Sequence, residues 1–302
     1  MATTTPTAPT AVRVPIAETR ASRGLWRDAL VRLRRNRPAM VGMVCILVFL
    51  FVAFLAPALA PYDPNKLGLG KTFGPPSSEH LAGLDKLGRD ELSRVMYGAR
   101  ISLFVGVISV SVGLALGGFV GAVAGGVGGR VDTILMRATD VFLAIPGILL
   151  AIGIVAWLGQ GLPQIMIAVA VANAPIFARI LRGSLLSLRE AEFVTAARSI
   201  GAGGRRLLMR HMLPNALTAL IVAATLALAT AIIDVAGLGY LGLGPPDPRT
   251  PEWGTMLTDS TEALRRAPWL IFAPGIAIVI SAIGFNLLGD GLRESLDPRL
   301  KR

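Results

Sequence analysis

Six long apolar runs constrain the fold of this chain more than any other feature of its sequence. An α-helix rises about 1.5 Å per residue, so about 20 apolar residues cross the ~30 Å hydrocarbon core of a bilayer. Within lipid every backbone polar group needs a partner in the chain, a condition that helices meet. The sequence therefore predicts an all-α polytopic membrane protein with six transmembrane helices. We place the apolar runs at 40–60, 101–127, 136–158, 162–181, 215–235 and 269–288.

The composition supports a membrane protein and argues against nucleic acid as a partner. Hydrophobic residues make up 53% of the chain and charged residues only 16%. A formal net charge of +11 would suggest nucleic-acid binding in a soluble protein, but membrane topology explains it better here. We therefore predict that membrane lipid surrounds the chain and that the chain has no nucleic-acid partner. The single cysteine, Cys45, excludes an intramolecular disulfide.

The distribution of Lys and Arg orients the predicted spans. With the N-terminus inside, 21 of the 30 Lys and Arg residues fall on inner segments and 9 on outer ones. Inner segments of membrane proteins are enriched in these residues, so we predict a cell-membrane protein with both termini in the cytoplasm. The chain then divides into a disordered, basic N-terminal segment (1–38), a first transmembrane helix (39–60), an extracytoplasmic loop (61–100), a five-helix core (101–290) and a cytoplasmic tail (291–302).

The second predicted span carries a ridge of small residues. Helices in lipid associate through close van der Waals contact, which small residues permit. We interpret the ridge as a helix-packing surface rather than a ligand site. Its four glycines recur at every fourth position and so share one face of the helix: Gly113, Gly117, Gly121 and Gly125.

The loop 189–214, between the fourth and fifth spans, carries a helical pattern outside the spans. Gly201 is placed to end a first short helix, because glycine enters the left-handed conformation of a helix exit without a Cβ penalty. A second short helix is predicted to follow and to close at Pro214. The loop could lie on anionic lipid as a cationic amphipathic segment, or it could dock on a partner protein. Four residues share one face of the first helix: Phe193, Ala196, Ala197 and Ile200.

The spacing within this loop resembles the EAA loop in permease subunits of ABC importers. The pattern is Ala196-Ala197, three residues, Gly201, nine residues, and then His211 to Pro214. In that family the loop forms the coupling helix that docks in a groove of the ATPase subunit. Thr195 departs from the family, which often has Glu there. The resemblance implies a role in coupling to an ATPase for Glu192, Phe193, Thr195, Ala196, Ala197, Gly201, His211, Leu213 and Pro214.

Further motifs extend the resemblance to most of the chain. They are similar to the second, C-type permease of dipeptide and oligopeptide ABC importers, which implies a type I ABC importer permease fold. The implied partners are a second homologous permease, two cytoplasmic ATPases and an extracytoplasmic solute-binding protein. ATP and Mg²⁺ would bind to the ATPases, and this chain would bind no cofactor. The implied cargo is di- or oligopeptides, and the same family also carries nickel chelates, glutathione or opines. The motifs lie at 33–42, 83–103, 137–152, 179–198 and 285–300.

Acidic residues near the ends of two spans are candidates for a polar pathway or its gate. Asp140 lies three residues after Arg137, so the two side chains can pair on one helix face. Asp234 either lines a pathway or reaches interfacial water from a helix end, and both interpretations stay open. A proton-coupled secondary transporter that uses Asp140 and Asp234 is the alternative from another class. It is disfavoured because it gives the loop 189–214 no role. Pro146 is expected to bend the third span.

The sequence offers little for catalysis or nucleotide binding. Residues 70–72, Gly-Lys-Thr, resemble the end of a phosphate-binding loop, but that motif needs glycine where this chain has Asn65. The two histidines, His80 and His211, fall on opposite sides of the predicted membrane, so we predict no metal site and no hydrolase site. The chain is therefore expected to be a transport subunit and not an enzyme.

Overall fold

The computed structural model describes residues 25–296, which form a bundle of helices, and no β-strand occurs within that range. The segment 1–24 and the residues after 296 lie outside it, so the disorder predicted for the N-terminus concerns residues that are not described. We number the helices in chain order: α1 Leu25–Arg35, α2 Arg37–Leu59, α3 Glu91–Val127, α4 Gly129–Leu143, α5 Gly147–Leu158, α6 Leu162–Arg189, α7 Glu192–Ser199, α8 Gly204–Leu243, α9 Trp253–Thr261 and α10 Trp269–Leu296.

Five of these helices are long and apolar enough to cross a membrane, namely α2, α3, α6, α8 and α10. The helices α4 and α5 supply the sixth apolar segment, but they meet at an angle of 89°. The break lies at Pro146, where proline removes a backbone donor and disfavours helical geometry in the residue before it. The bend predicted at Pro146 is thus a broken span, and six spans result if the pair counts as one.

Several helices extend beyond the apolar runs. α3 begins at Glu91, ahead of the apolar run at 101–127, so the last residues of the predicted outer loop 61–100 are helical. Asp90 starts α3 because its carboxylate accepts a hydrogen bond of 2.8 Å from the backbone N–H of Ser93. α10 continues to Leu296, so the first residues of the predicted tail 291–302 are helical. The predicted basic segment before the first span is largely helical, since α1 ends at Arg35 and α2 begins at Arg37 after the capping residue Asn36.

α3 lies at the centre of the bundle and packs most extensively against α6. One apolar core lies among α3, α5, α6 and α8. A second core joins α2 and α10 to α3, α8 and the short helix α9. These packing partners leave α4 at the edge of the bundle, where it contacts α3 and α6.

The end of the bundle opposite the loop 189–214 is closed by a polar cap, which we define as residues 61–90 together with 244–260. Arg89 is buried, and its Nε donates to Asp85 at 2.6 Å while its Nη1 donates to the carbonyl oxygen of Pro248 at 2.7 Å. Lys86 pairs with Asp259 at 2.7 Å. These contacts join two chain segments that are distant in sequence, so the cap holds the ends of α3, α8 and α10 together.

Candidate partner-docking site

The loop 189–214 folds as a short helix, a glycine exit and the beginning of α8. Gly201 has φ +86°, the left-handed region that its position after α7 requires. No atom lies within 4 Å of the position that a Cβ on Gly201 would take. Backbone conformation, and not space, is therefore what calls for glycine there. The N–H of Gly201 donates to the carbonyl oxygen of Arg198 at 2.9 Å and closes the helix exit.

The apolar face predicted on α7 is divided between the interior of the chain and its surface. Val194 and Ala197 are buried in the core among α3, α6 and α8. Phe193 is 43% exposed, Ile200 is 87% exposed, and Ala196 between them is exposed as well. The prediction that Ala197 forms part of the outer face was therefore wrong, because its methyl group packs inward. The outer face consists of Phe193, Ala196 and Ile200, and we call it the α7 strip.

The predicted second short helix is wrong in its extent. α8 begins at Gly204 and continues through Pro214 to Leu243 without ending at the proline. A π-helical stretch, Leu207–Met212, comes just before Pro214. In a regular helix the proline ring would meet the carbonyl four residues earlier, and the wider π turn makes room for it. His211 is half-buried, and its carbonyl oxygen accepts a hydrogen bond of 2.6 Å from Asn215.

The loop is fixed to the end of α3 rather than hanging free. Arg189 donates from Nη2 to the carbonyl oxygens of Gly125 and Gly126, at 2.6 and 2.9 Å. These carbonyls belong to the last turn of α3, where cationic side chains are favourable. Leu207 and Met212, in the second half of the loop, are buried. The α7 strip is thus held at a fixed place on the bundle end.

The four ridge glycines of α3 all face α6. A Cβ on Gly117 would overlap the carbonyl oxygen of Ala174, and one on Gly113 would lie 2.8 Å from that of Ala170. Gly121 meets Ala178 in the same way. Gly125 meets Leu185 near the loop end of the bundle. The absence of side chains at these positions lets the two helix backbones approach each other.

The predicted pair of Arg137 and Asp140 is wrong. Asp140 pairs instead with Arg179 on α6, with 2.6 Å between Oδ1 and Nη2. A second contact between the same helices joins Asp132 to Arg182 through two bonds of 2.5 and 2.7 Å. Two arginines on α6 thus determine where the acidic residues of α4 point, although neither arginine is near them in sequence.

Asp234 lies in α8 at the opposite end of the bundle from the loop 189–214. It is half-buried and follows two fully or nearly fully buried residues, Ala231 and Ile232. Asp140 bonds to α6 from the edge of α4, and its side chain is still 49% exposed. The structure therefore places the two acidic candidates on different helices and near opposite ends of the bundle.

A buried carboxylate that the sequence did not single out lies in the polar cap. Glu252 has no exposed surface and accepts hydrogen bonds from the N–H groups of Gly254 at 2.8 Å and Thr255 at 2.9 Å. Ser102 on α3 approaches the same carboxylate at 3.4 Å. Burial raises the pKa of Glu252 to about 7, because these bonds only partly replace lost water. An acidic residue just before a helix start, as Glu252 is before Trp253, is the signal that could have found it.

We expect the stability of the folded chain to fall as pH rises from about 4.5 to 7, in part because of Glu252. A carboxyl pKa that folding raises means that the folded state binds more protons in this window, so stability is greatest below it. The shift from 4.5 to about 7 corresponds to a loss of about 3 kcal/mol across the window. Thermal unfolding in detergent at pH 5, 6, 7 and 8 measures this slope. Glu252→Gln should flatten the slope, and an identical slope in parent and variant would contradict the assignment.

Within residues 25–296, no group of His, Cys, Asp and Glu side chains could hold a metal ion. An exposed apolar strip is fixed beside a glycine exit and leads directly into a helix that crosses the bundle.

Comparisons with known proteins agree with this arrangement. The family profile described as "Binding-protein-dependent transport system inner membrane component" matches residues 117–302. A second profile, "N-terminal TM domain of oligopeptide transport permease C", matches residues 24–76. Together they cover α1, α2 and the chain from the second half of α3 onward.

Individual relatives cover nearly the whole chain. The dipeptide transport system permease protein DppC of Alkalihalophilus pseudofirmus is 44% identical, over 91% of this chain and 90% of its own length. The oligopeptide transport system permease protein OppC of Bacillus subtilis is 42% identical, over 93% and 92%. The glutathione transport system permease protein GsiD of Pectobacterium atrosepticum is 40% identical, over 95% and 96%.

A solved structure shares the fold. A chain of the MetNI methionine ABC transporter in inward-facing conformations superposes with a TM-score of 0.57, covering 68% of this chain and 96% of that one. At 21% identity this likeness concerns the fold alone. The predicted type I ABC importer permease fold is thus confirmed. On the family profile and the curated relatives, the chain belongs to the family of binding-protein-dependent transport system inner membrane components.

Proposed function

We propose that this chain is one of two permease subunits that together form the membrane pathway of an ATP-driven importer of di- and oligopeptides. The observation that carries the proposal is the 44% identity to a dipeptide permease over 91% of the chain. The oligopeptide permease relative supports the same class of cargo. The alignments to these two relatives cover 91% and 93% of the chain.

The structure of the loop 189–214 supports the proposal that partner ATPases, and not this chain, supply the energy for transport. The α7 strip exposes Phe193, Ala196 and Ile200 at a place held by Arg189. Exposed apolar surface that polar residues surround favours contact with another protein. In our proposal this strip binds one of two ATPase subunits, which hold ATP and Mg²⁺, while this chain has no nucleotide or catalytic site. The residues that we assign to this contact are Glu192, Phe193, Thr195, Ala196, Gly201, His211, Leu213 and Pro214.

The orientation of the chain follows from the same proposal. The end of the bundle with the loop 189–214 would face the cytoplasm, where ATP is, and both termini would lie there. The excess of Lys and Arg on the corresponding segments supports this orientation. The polar cap would then face outward, toward an extracytoplasmic solute-binding protein that delivers the cargo.

Glutathione is a second candidate cargo. Its permease relatives are 40–42% identical and cover 95% of the chain, so identity alone does not strongly separate the two classes. Glutathione is itself a tripeptide with an unusual γ-linkage, and the same pathway could pass both. Binding of dipeptides, longer peptides and glutathione to the cognate solute-binding protein, measured by calorimetry, separates the candidates.

We expect uptake to stop when the partner ATPases cannot hydrolyse ATP. The test is peptide uptake into proteoliposomes that contain both permeases, both ATPases and the solute-binding protein. An ATPase variant that binds but does not hydrolyse ATP should reduce uptake to background, whereas an uncoupler should leave uptake unchanged. Uptake that survives the ATPase variant and collapses with the uncoupler would instead support a proton-coupled transporter.

A further inference from the structure

The outward face of α4 carries charge where the neighbouring surface is apolar. Arg137 is exposed, and no carboxylate among residues 25–296 lies within ion-pair distance of it. The side chains of Asp140 and Arg179 pair with each other and are still 49% and 57% exposed. Ile134 and Val141 beside them are 68% and 66% exposed. The chain by itself thus leaves a mixed, ionic surface uncovered.

The depth of this surface follows from the length of α6. That helix contains 28 residues, about 42 Å, which exceeds the ~30 Å hydrocarbon core by about 12 Å. Arg179 lies ten residues before Arg189, so it is about 15 Å from that end along the helix axis. Even if all of the excess length of α6 projected from the membrane at the Arg189 end, the pair of Asp140 and Arg179 would still lie at the depth of the hydrocarbon.

Lipid is a poor neighbour for such a surface. A charged side chain that faces hydrocarbon is costly, and charged residues within spans commonly face protein or water. An arginine can reach toward the interface with its long side chain, but an aspartate cannot. Asp140 therefore needs a polar environment where it stands.

The packing of α4 also indicates that the rest of the chain does not cover its outer surface. A cavity of about 210 Å³ lies between α4, α3 and α6, with Gly117, Thr139 and Pro175 among its lining residues. α4 thus stands away from the bundle over part of its length. Its contacts to α6 include the ion pairs of Asp132 with Arg182 and of Asp140 with Arg179. A helix held off the bundle in this way leaves part of its surface uncovered by the chain, including the exposed side of the pair of Asp140 and Arg179.

We propose that the outward face of α4, with Arg137 and the pair of Asp140 and Arg179, borders a water-filled pathway shared with the second permease. The proposal rests on the proposed function, because it is the second permease that would cover this face and keep lipid away. A wall that offers charges of both signs suits a cargo with an ammonium group and a carboxylate, as free peptides have.

Thiol accessibility in the assembled complex tests the proposal. Cys45→Ala removes the native thiol, and Val141→Cys then places one on the α4 face without removing a charge. Phe54→Cys on α2 is the matched control, since Phe54 is 82% exposed on a span and the chain leaves it facing outward. We expect a membrane-impermeant charged methanethiosulfonate to react with position 141 at least tenfold faster than with position 54.

The outcomes separate the pathway from the alternatives. Reaction of position 141 only with a lipid-soluble maleimide would mean that α4 faces lipid, and protection from both reagents would mean a dry protein contact. Either result overturns the proposal. Labelling is measured in the resting complex and needs no transport. Its result can therefore be interpreted even if the ATPase experiment fails. A complex that imports peptides while position 141 stays unreactive would refute this inference alone.

Discussion

Gly117→Leu will prevent the chain from reaching its folded state, whereas Gly118→Leu will yield folded protein. A Cβ on Gly117 would overlap the carbonyl oxygen of Ala174 and lie 2.8 Å from the Cβ of Phe177. Backbone atoms of α6 cannot move aside as a flexible side chain can, so α3 and α6 would have to separate. Overpacking costs about 1–3 kcal/mol even where side chains can adjust. Here we expect a loss above about 4 kcal/mol, enough to unfold a marginal protein.

The neighbouring glycine supplies the control. A Cβ on Gly118 would meet only the Cδ1 of Leu220, at 4.0 Å, which is an ordinary contact. Size-exclusion chromatography of detergent-solubilised protein, followed by thermal unfolding of the monodisperse fraction, measures both variants. Equal yields and equal midpoints for the two would show that α3 and α6 are not held as closely as the structure describes.

Ile200→Glu will weaken the contact with the ATPase while the chain itself folds normally. Ile200 is 87% exposed, so the new carboxylate stays in water in the isolated subunit. In a docked complex the same carboxylate would be buried against an apolar groove, at a cost of about 2 kcal/mol or more. That penalty corresponds to roughly 30-fold weaker binding. We expect ATPase subunits to be lost from the purified complex and uptake to fall in proportion.

Ser199→Glu is the matched control, because it adds the same charge one residue away on the exposed, polar side of α7. It should retain the ATPase subunits. Ala197→Glu is a poor probe, because Ala197 packs in the core of the chain and its substitution would disturb the fold directly. Co-purification of the complex by a tag on this chain, with ATP hydrolysis and uptake in the same preparation, measures the effect. Loss of the ATPases in both variants would assign the effect to charge in general and not to the α7 strip.

The sequence predicted the number of apolar segments because the bilayer imposes a length and a composition on each of them. It did not predict where α3 begins, since Glu91 and Arg94 read as polar loop residues. Both are buried in the structure, at 2% exposure, among charged partners in the polar cap. Hydropathy cannot distinguish a polar loop from a buried helix end such as this one, where the Arg94 guanidinium donates to the carbonyl oxygens of Pro64 and Pro248.

The candidate site shows the same limit. The short helix before Gly201 could be predicted because its pattern is local. The pairing of Asp140 could not, because the partner Arg179 comes from another helix and displaces the nearer Arg137. Pro214 was expected to end a helix, and the π turn that accommodates it depends on hydrogen-bond register rather than on residue type. Glu252 escaped notice for a similar reason, since its burial follows from the packing of α9 on α3.

The continuity of α8 has a mechanical consequence. The loop 189–214 and the polar cap are connected by a single helix of 40 residues, about 60 Å long. If this helix tilted by about 5° about one end, its other end would move by about 5 Å. Gly242, with φ +79°, introduces a bend at the far end of α8, beside the cap. In our proposal, a movement that begins where α7 ends would therefore reach the polar cap through one helix, without a relay of separate parts.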